Sequence, residues 1–158
     1  MELITKLNEA RNILSNLSPR PVPPEISYIV EKDTLWVQQC LDKMGLGIIR
    51  LPLDGTYRMT NKSNFLHVVA WDWVDNKPYV KEIFDCENFA ISFKANMDWY
   101  FGLNQVGIVI DYESGHGYNL VLFPDGSAWV LEPQSDALVV WSKRNTTFYA
   151  LEGAIVLI

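Results

Sequence analysis

Cysteine, histidine and a carboxylate follow one another in the second half of this chain: Asp85-Cys86-Glu87-Asn88-Phe89-Ala90, then Gly115-His116-Gly117-Tyr118-Asn119, then Trp129-Val130-Leu131-Glu132-Pro133-Gln134. These residue types supply a nucleophile, a proton carrier and a group that fixes the carrier's tautomer, which is what thiol-based acyl transfer needs. The thiolate is the reactive form of cysteine, and a helix N-terminus favours it through unpaired amides and the positive end of the dipole. Asp85 and Glu87 act the other way, because negative charge beside a thiol raises its pKa.

The elements that must position these residues are legible as periodicity. Phe89, Ala90, Phe93, Met97, Tyr100 and Phe101 fall at helical spacing and Gly102 stops the pattern, so residues 84–101 predict a central helix with Cys86 in its first turn. Residues 106–112, 116–123 and 128–132 read as strands joined by the Glu113-Ser114-Gly115 and Pro124-Asp125-Gly126 turns, which predicts an antiparallel meander. His116 stands about eight residues before the second turn and Glu132 about six after it, so adjacent strands bring them together with a small register offset or a bulge.

The rest of the chain supplies packing. Leu3, Leu7, Ala10, Leu14 and Leu17 predict an amphipathic helix over 2–17 that packs on the body or docks a partner. Ser18 to Pro24 holds four prolines and forms an extended strap. Residues 34–44 predict a short helix with Cys40 on its apolar side. Residues 48–80 read as β structure, with strands at 48–53, 57–59 and 65–74 and His67 on a strand face. Trp71, Trp73 and Tyr79 could wall a groove or fill a core. Residues 139–142 and 148–158 add further edges.

Composition narrows the function classes. The chain has 158 residues, 49% apolar and 13% aromatic, which suits one globular domain with a sizeable core. A net charge of -6 and a pI near 4.8 exclude a nonspecific grip on nucleic acid or anionic lipid. No apolar run reaches the roughly 20 residues of a membrane span, and Glu2, Lys6, Glu9 and Arg11 interrupt what would be a signal peptide. The expectation is a cytoplasmic protein with both cysteines, Cys40 and Cys86, as thiols. Neither metal-ligand spacing nor a phosphate-binding glycine loop is present, so no metal and no cofactor are expected.

The Cys lies 30 residues before the His, and the His 16 before the acid. This order and spacing resemble the transglutaminase-like branch of the papain-like cysteine superfamily. They resemble in particular the small bacterial and phage transglutaminase-like cysteine peptidases, which carry Asp-Cys-Asp/Glu-Asp-Phe/Tyr at the nucleophile; the match covers residues 84–136. The resemblance implies a papain-like α+β fold, with the nucleophile helix packed against an antiparallel sheet, in one domain over 1–158. It also implies a Cys86, His116 and Glu132 triad acting on a protein or peptide substrate as a peptidase or amidase, less readily as a crosslinking transglutaminase. The Cys86 amide would help hold the oxyanion, and Asn119, Gln134, Asp85 and Trp129 would contact substrate or support the triad. Glu132 stands where that family usually has Asp, and Asn88 where it often has a second acid.

Two rival readings use other features. One is a non-catalytic peptide- or glycan-binding module on the same scaffold, holding its ligand in the tryptophan-rich groove. The other is a carbohydrate-binding β-domain, which six tryptophans would suit but which leaves the order of Cys, His and Glu unexplained. The sequence carries no signal for oligomeric state.

Overall fold

The computed structural model describes residues 4–6, 22–44, 49–150 and 153–158. The helix expected over 2–17 and the first part of the proline strap therefore lie largely outside the described residues; residues 22–26 are extended without regular structure.

The first described strand, β1 (Val30–Asp33), pairs antiparallel with β3 (Thr56–Met59) in register Val30↔Met59 to Asp33↔Thr56. Asp33 then caps α1 (Thr34–Asp42) by accepting the Trp36 amide at 2.8 Å, which satisfies one of the free N–H groups of the first turn. Val37, Cys40 and Leu41 are its buried face.

Six strands form the main sheet in the order β2 (Ile49–Leu51), β8 (Ile155–Leu157), β4 (Val106–Asp111), β5 (His116–Leu122), β6 (Ala128–Glu132), β7 (Ala137–Val140). All neighbours are antiparallel except β2 and β8, which run parallel.

Alternation along β5 assigns the two faces. Tyr118, Leu120 and Leu122 join Val37, Cys40 and Leu41 of α1 in one buried cluster. Val121 points the other way and joins Phe65, Val68, Phe93 and Met97. Edge-on contacts of Phe65 with Phe93 (6.2 Å between ring centres) and with Phe123 (5.5 Å) tie that second layer; each buried Phe contributes roughly 1.5–3 kcal/mol.

The second layer contains α2 (Lys62–Trp71) and α3 (Cys86–Asn96). The helix α2 corrects the strand expected over 65–74. Asn61 caps it by accepting the Asn64 amide at 3.0 Å, and the buried Phe65, Val68, Val69 and Trp71 recur at helical intervals. Burial of that stripe outweighs the β preference of Val68 and Val69. His67 consequently lies exposed on a helix and is not among the residues lining the cavity of Cys86 and His116. Trp71 fills a core position against Tyr100 and Phe101, whereas Trp73 is 46% exposed.

The helix α3 runs on into a wider π turn, Met97–Phe101, and ends at Gly102, whose φ of 57° is the left-handed conformation that terminates helices. Asn119 ties α3 to the sheet: its buried Nδ2 donates to Ala90 O at 3.0 Å and to Gly107 O at 3.1 Å.

The architecture thus departs from the papain-like or transglutaminase-like picture of one helix on an antiparallel sheet. The sheet is mixed, helices cover both faces, and among the described residues the first half of the chain contributes, besides the helix expected over 34–44, a second helix at 62–71 where a strand was expected. The three chemical motifs constrain one helix and two strands, and leave the remaining layers free. Among the described residues, no helix is long and apolar enough to cross a membrane.

Candidate functional site

Cys86 opens α3 directly after Asp85. That aspartate is only 8% exposed and serves the backbone: its Oδ2 accepts the Glu82 amide at 2.9 Å, while its own amide donates to Asn88 Oδ1 at 3.1 Å. Glu82 adopts φ 61° in the tight turn closed by the Val80 and Phe84 backbones, so Asp85 fixes how the chain enters the helix.

Strand β5 comes close to this first turn because residue 117 is glycine. Its amide reaches the Cys86 sulfur. Beside it, His116 and Glu132 meet diagonally across β5 and β6: the register Asn119↔Leu131, continued by one step, puts Glu132 opposite Tyr118, two residues from the histidine. His116 Nε2 lies 2.7 Å from Glu132 Oε2, with both side chains mostly buried. A carboxylate on Nε2 selects the tautomer that leaves the Nδ1 lone pair free. The other carboxylate oxygen, Oε1, accepts the main-chain and side-chain N–H groups of Gln134, each at 3.3 Å.

Cys86 and His116 line one open cavity of about 310 Å³, together with Glu87, Asp111, Tyr112 and Gly117. Burial pushes the Cys86 thiol up, the Gly117 amide opposes that, and the Glu87 carboxylate, which accepts the thiol at 3.4 Å, pushes it up again. Burial and Glu87 together therefore favour the protonated thiol. Desolvation and Glu87 outweigh the helix terminus that the sequence pointed to.

The structure thus brings together Cys86, His116, Glu132, Gln134 and Asp85. It does not bring in Asn119, a fully buried strut, or Trp129. Trp129 lies three residues from Glu132 on the same strand and so faces the opposite side; its indole N–H donates to Ser127 Oγ at 3.2 Å, and the Lys62 ammonium stands 3.5 Å over its ring. Two residues were not singled out from sequence. Gly117 had a signal, since a glycine inside a strand marks close approach of another backbone. Tyr149, which donates to Glu132 Oε2 at 3.2 Å, had none, lying 17 residues further on outside the strands.

A second cavity, about 340 Å³, lies beyond the 80–84 turn. Trp73, Phe84, Asn76, Lys77, Ser92 and Asn96 line it. Among the described residues, no group of three His, Cys, Asp or Glu side chains is placed to hold a metal ion.

The family model of the ricin-type beta-trefoil lectin C-terminal domain matches residues 10–151. Two solved structures share the fold. One, described as a PSL1a-E64 complex, is 18% identical with a TM-score of 0.61; the match covers 81% of this chain and 51% of that one. The other is Polyporus squamosus lectin bound to the human-type influenza-binding epitope Neu5Aca2-6Galb1-4GlcNAc, 19% identical with a TM-score of 0.63, covering 81% of this chain and 49% of the lectin. The chain spans about half the length of these proteins. No curated relative matches it at the level of sequence.

These matches overturn the transglutaminase-like assignment and its papain-like fold class, and with them the expected labels of cysteine peptidase, hydrolase and thiol protease. They also give no support to a protein or peptide substrate, since the ligand named for the Polyporus lectin is a glycan. The physical reason is that a cysteine at a helix start and a diagonal histidine and acid pair are local arrangements, which different families can build.

Proposed function

The chain belongs to the family of ricin-type beta-trefoil lectin C-terminal domains, and from that membership we propose that it is a glycan-binding module of a lectin-type protein. The observation that carries this reading is the family match across residues 10–151. The cavity at Trp73 supplies a place for the ligand. A half-exposed indole can stack on the C–H face of a pyranose, while Asn76, Ser92 and Asn96 offer hydrogen bonds to hydroxyls and Lys77 a cation for a sugar carboxylate. Lys77 Nζ stands 5.5 Å from the Phe84 ring centre, at the cavity wall.

Titration calorimetry of the chain with Neu5Aca2-6Galb1-4GlcNAc, the epitope held by the Polyporus lectin, tests the reading. Binding that Trp73→Ala abolishes is expected. Absence of binding, or binding indifferent to Trp73, would remove the cavity from consideration.

A second reading is favoured by the 2.7 Å contact of His116 with Glu132 in the wall of a cavity that Cys86 shares. We propose that Cys86 is a nucleophile for acyl groups, with His116 as its base and Glu132 as the orienter. The sulfur forms a bond to a carbonyl carbon as its proton passes to His116 Nδ1, and the oxyanion takes the Cys86 amide. His116 then protonates the departing group, and water or an amine resolves the thioester. Gln134 and Asp85 hold the orienter and the helix entry. Alkylation by iodoacetamide, read in a Cys40→Ala background, tests this. His116→Ala should slow it at neutral pH; equal rates would dismiss the base.

A further inference from the structure

We propose that Tyr149 is a positioning residue that fixes Glu132 against His116, so that a segment outside the sheet completes the thiol site. The inference rests on the second reading above, in which Cys86 is the nucleophile.

Tyr149 Oη donates to Glu132 Oε2 at 3.2 Å, the oxygen that also faces His116 Nε2 at 2.7 Å. With Oε1 taken by Gln134, both oxygens of the carboxylate are engaged and it has one orientation. The tyrosine ring walls the histidine as well: its centre is 5.8 Å from that of His116 and 4.9 Å, edge-on, from that of Tyr118. Burial, and then the Glu132 carboxylate, push the Tyr149 hydroxyl up to about 12, so it remains a donor at any pH at which the thiol would act.

Tyr149 is itself held from behind. Arg144 Nε donates to Tyr149 O at 2.9 Å and Arg144 Nη1 to Trp141 O at 3.0 Å, while its guanidinium lies 3.2 Å over the Trp141 ring. The Tyr149 amide donates to Asn145 O at 2.9 Å. The chain leaving β7 is thereby folded back so that one hydroxyl reaches an acid on the neighbouring strand. The sheet order requires the chain to return from the edge strand β7 to β8 beside β4, and on that return Tyr149 reaches the carboxylate that touches the histidine.

The test is Tyr149→Phe, which keeps the ring against Tyr118 and removes only the hydroxyl, beside His116→Ala and the parent, all with Cys40→Ala. Two quantities are read: the rate of Cys86 alkylation by iodoacetamide from pH 6 to 9, and the downfield proton resonance of His116 Nε2–H. The other titratable groups facing the pair are Asp85 and Glu87 of α3, Asp111 and Tyr112 on the β4 side, Tyr118 of β5, and Tyr79; all are common to the variants. Tyr149→Phe should lower the neutral-pH rate about tenfold, the scale of one hydrogen bond to a charged group, and broaden the resonance as the bond opens to solvent. Arg144→Gln, which leaves the hydroxyl in place but frees its backbone, should show a smaller loss in the same direction. Parent-like rate and resonance in both variants, with His116→Ala still slow, would overturn the role of Tyr149 and leave the thiol reading standing. A rate that His116→Ala does not change would overturn both.

Discussion

Gly117 of β5 passes so close to the first turn of α3 that a β-carbon on it would stand 2.8 Å from both Cα and N of Glu87. The neighbour is backbone, so it cannot swing aside as a flexible side chain would. Gly117→Ala should push strand and helix apart at a cost of about 1–3 kcal/mol, and should carry the Gly117 amide away from the Cys86 sulfur. Denaturant unfolding reads the first effect, and the pH at which Cys86 alkylates reads the second, which should move upward. A variant as stable as the parent, with the same profile, would show that the helix start yields easily and that the glycine is incidental.

Asp136 sits at φ 58°, and burial together with the carboxylates of Asp75 and Asp72 pushes it up to about 7. In the unfolded chain an aspartate titrates near 3.9. The folded state therefore holds a proton that the unfolded state has lost between those values, so stability is full below about pH 4 and falls as pH rises through 7. Asp136→Asn keeps the shape, tolerates the left-handed backbone and carries no charge. It should raise stability at pH 8 by about 1–2 kcal/mol after allowing for solvent screening and change little at pH 4. Urea melts at pH 4, 6 and 8 decide this; an equal gain at every pH would assign the effect to something other than the charge.

Much of this layout was legible in the sequence for a physical reason. The stretches around Cys86, His116 and Glu132 carry strong local signals: a helical stripe from Phe89 to Phe101 ended by Gly102, and two turn-bounded strands whose lengths set the diagonal of His116 and Glu132. Over 65–74 the strand expectation fails because Val68, Val69 and Trp71 favour strands on propensity, and only the Asn61 cap and the sheet beneath decide for a helix at 62–71. Tyr149 was invisible because its contact with Glu132 depends on the path of an irregular segment, pinned by Arg144, which no periodicity records. The family was illegible for a further reason. Three short motifs define a local geometry, whereas kinship is carried by 142 positions from 10 to 151 together.

Asn119 is fully buried on the face toward α3, where its Nδ2 serves Ala90 O of the helix and Gly107 O of β4. Asn119→Ala would leave both carbonyls without that donor, and a polar group stranded in this way costs about 1–3 kcal/mol. The loss should appear in thermal unfolding as a lower midpoint, with hydrogen exchange quickening around Ala90. If Cys86 alkylation is then unaltered at temperatures where the variant is folded, the residue is a strut. A selective change in alkylation without loss of stability would instead return it to the site.

Glu87 gives the sharpest electrostatic prediction, because it both accepts the Cys86 thiol at 3.4 Å and raises it by charge. Burial is the larger cause and remains in any variant, so Glu87→Gln should lower the thiol only part of the way. The sign is fixed: removing a carboxylate from beside a thiol favours the thiolate, so the alkylation profile moves to lower pH and the rate at pH 7 rises several-fold. Combining Glu87→Gln with His116→Ala separates the two influences on the sulfur. If His116 accepts the thiol proton, the double variant is slower than Glu87→Gln alone. If the two variants are equally fast, His116 has no part in the state of Cys86, which burial and Glu87 then set, and the contact of His116 with Glu132 serves packing of the β5 and β6 ends.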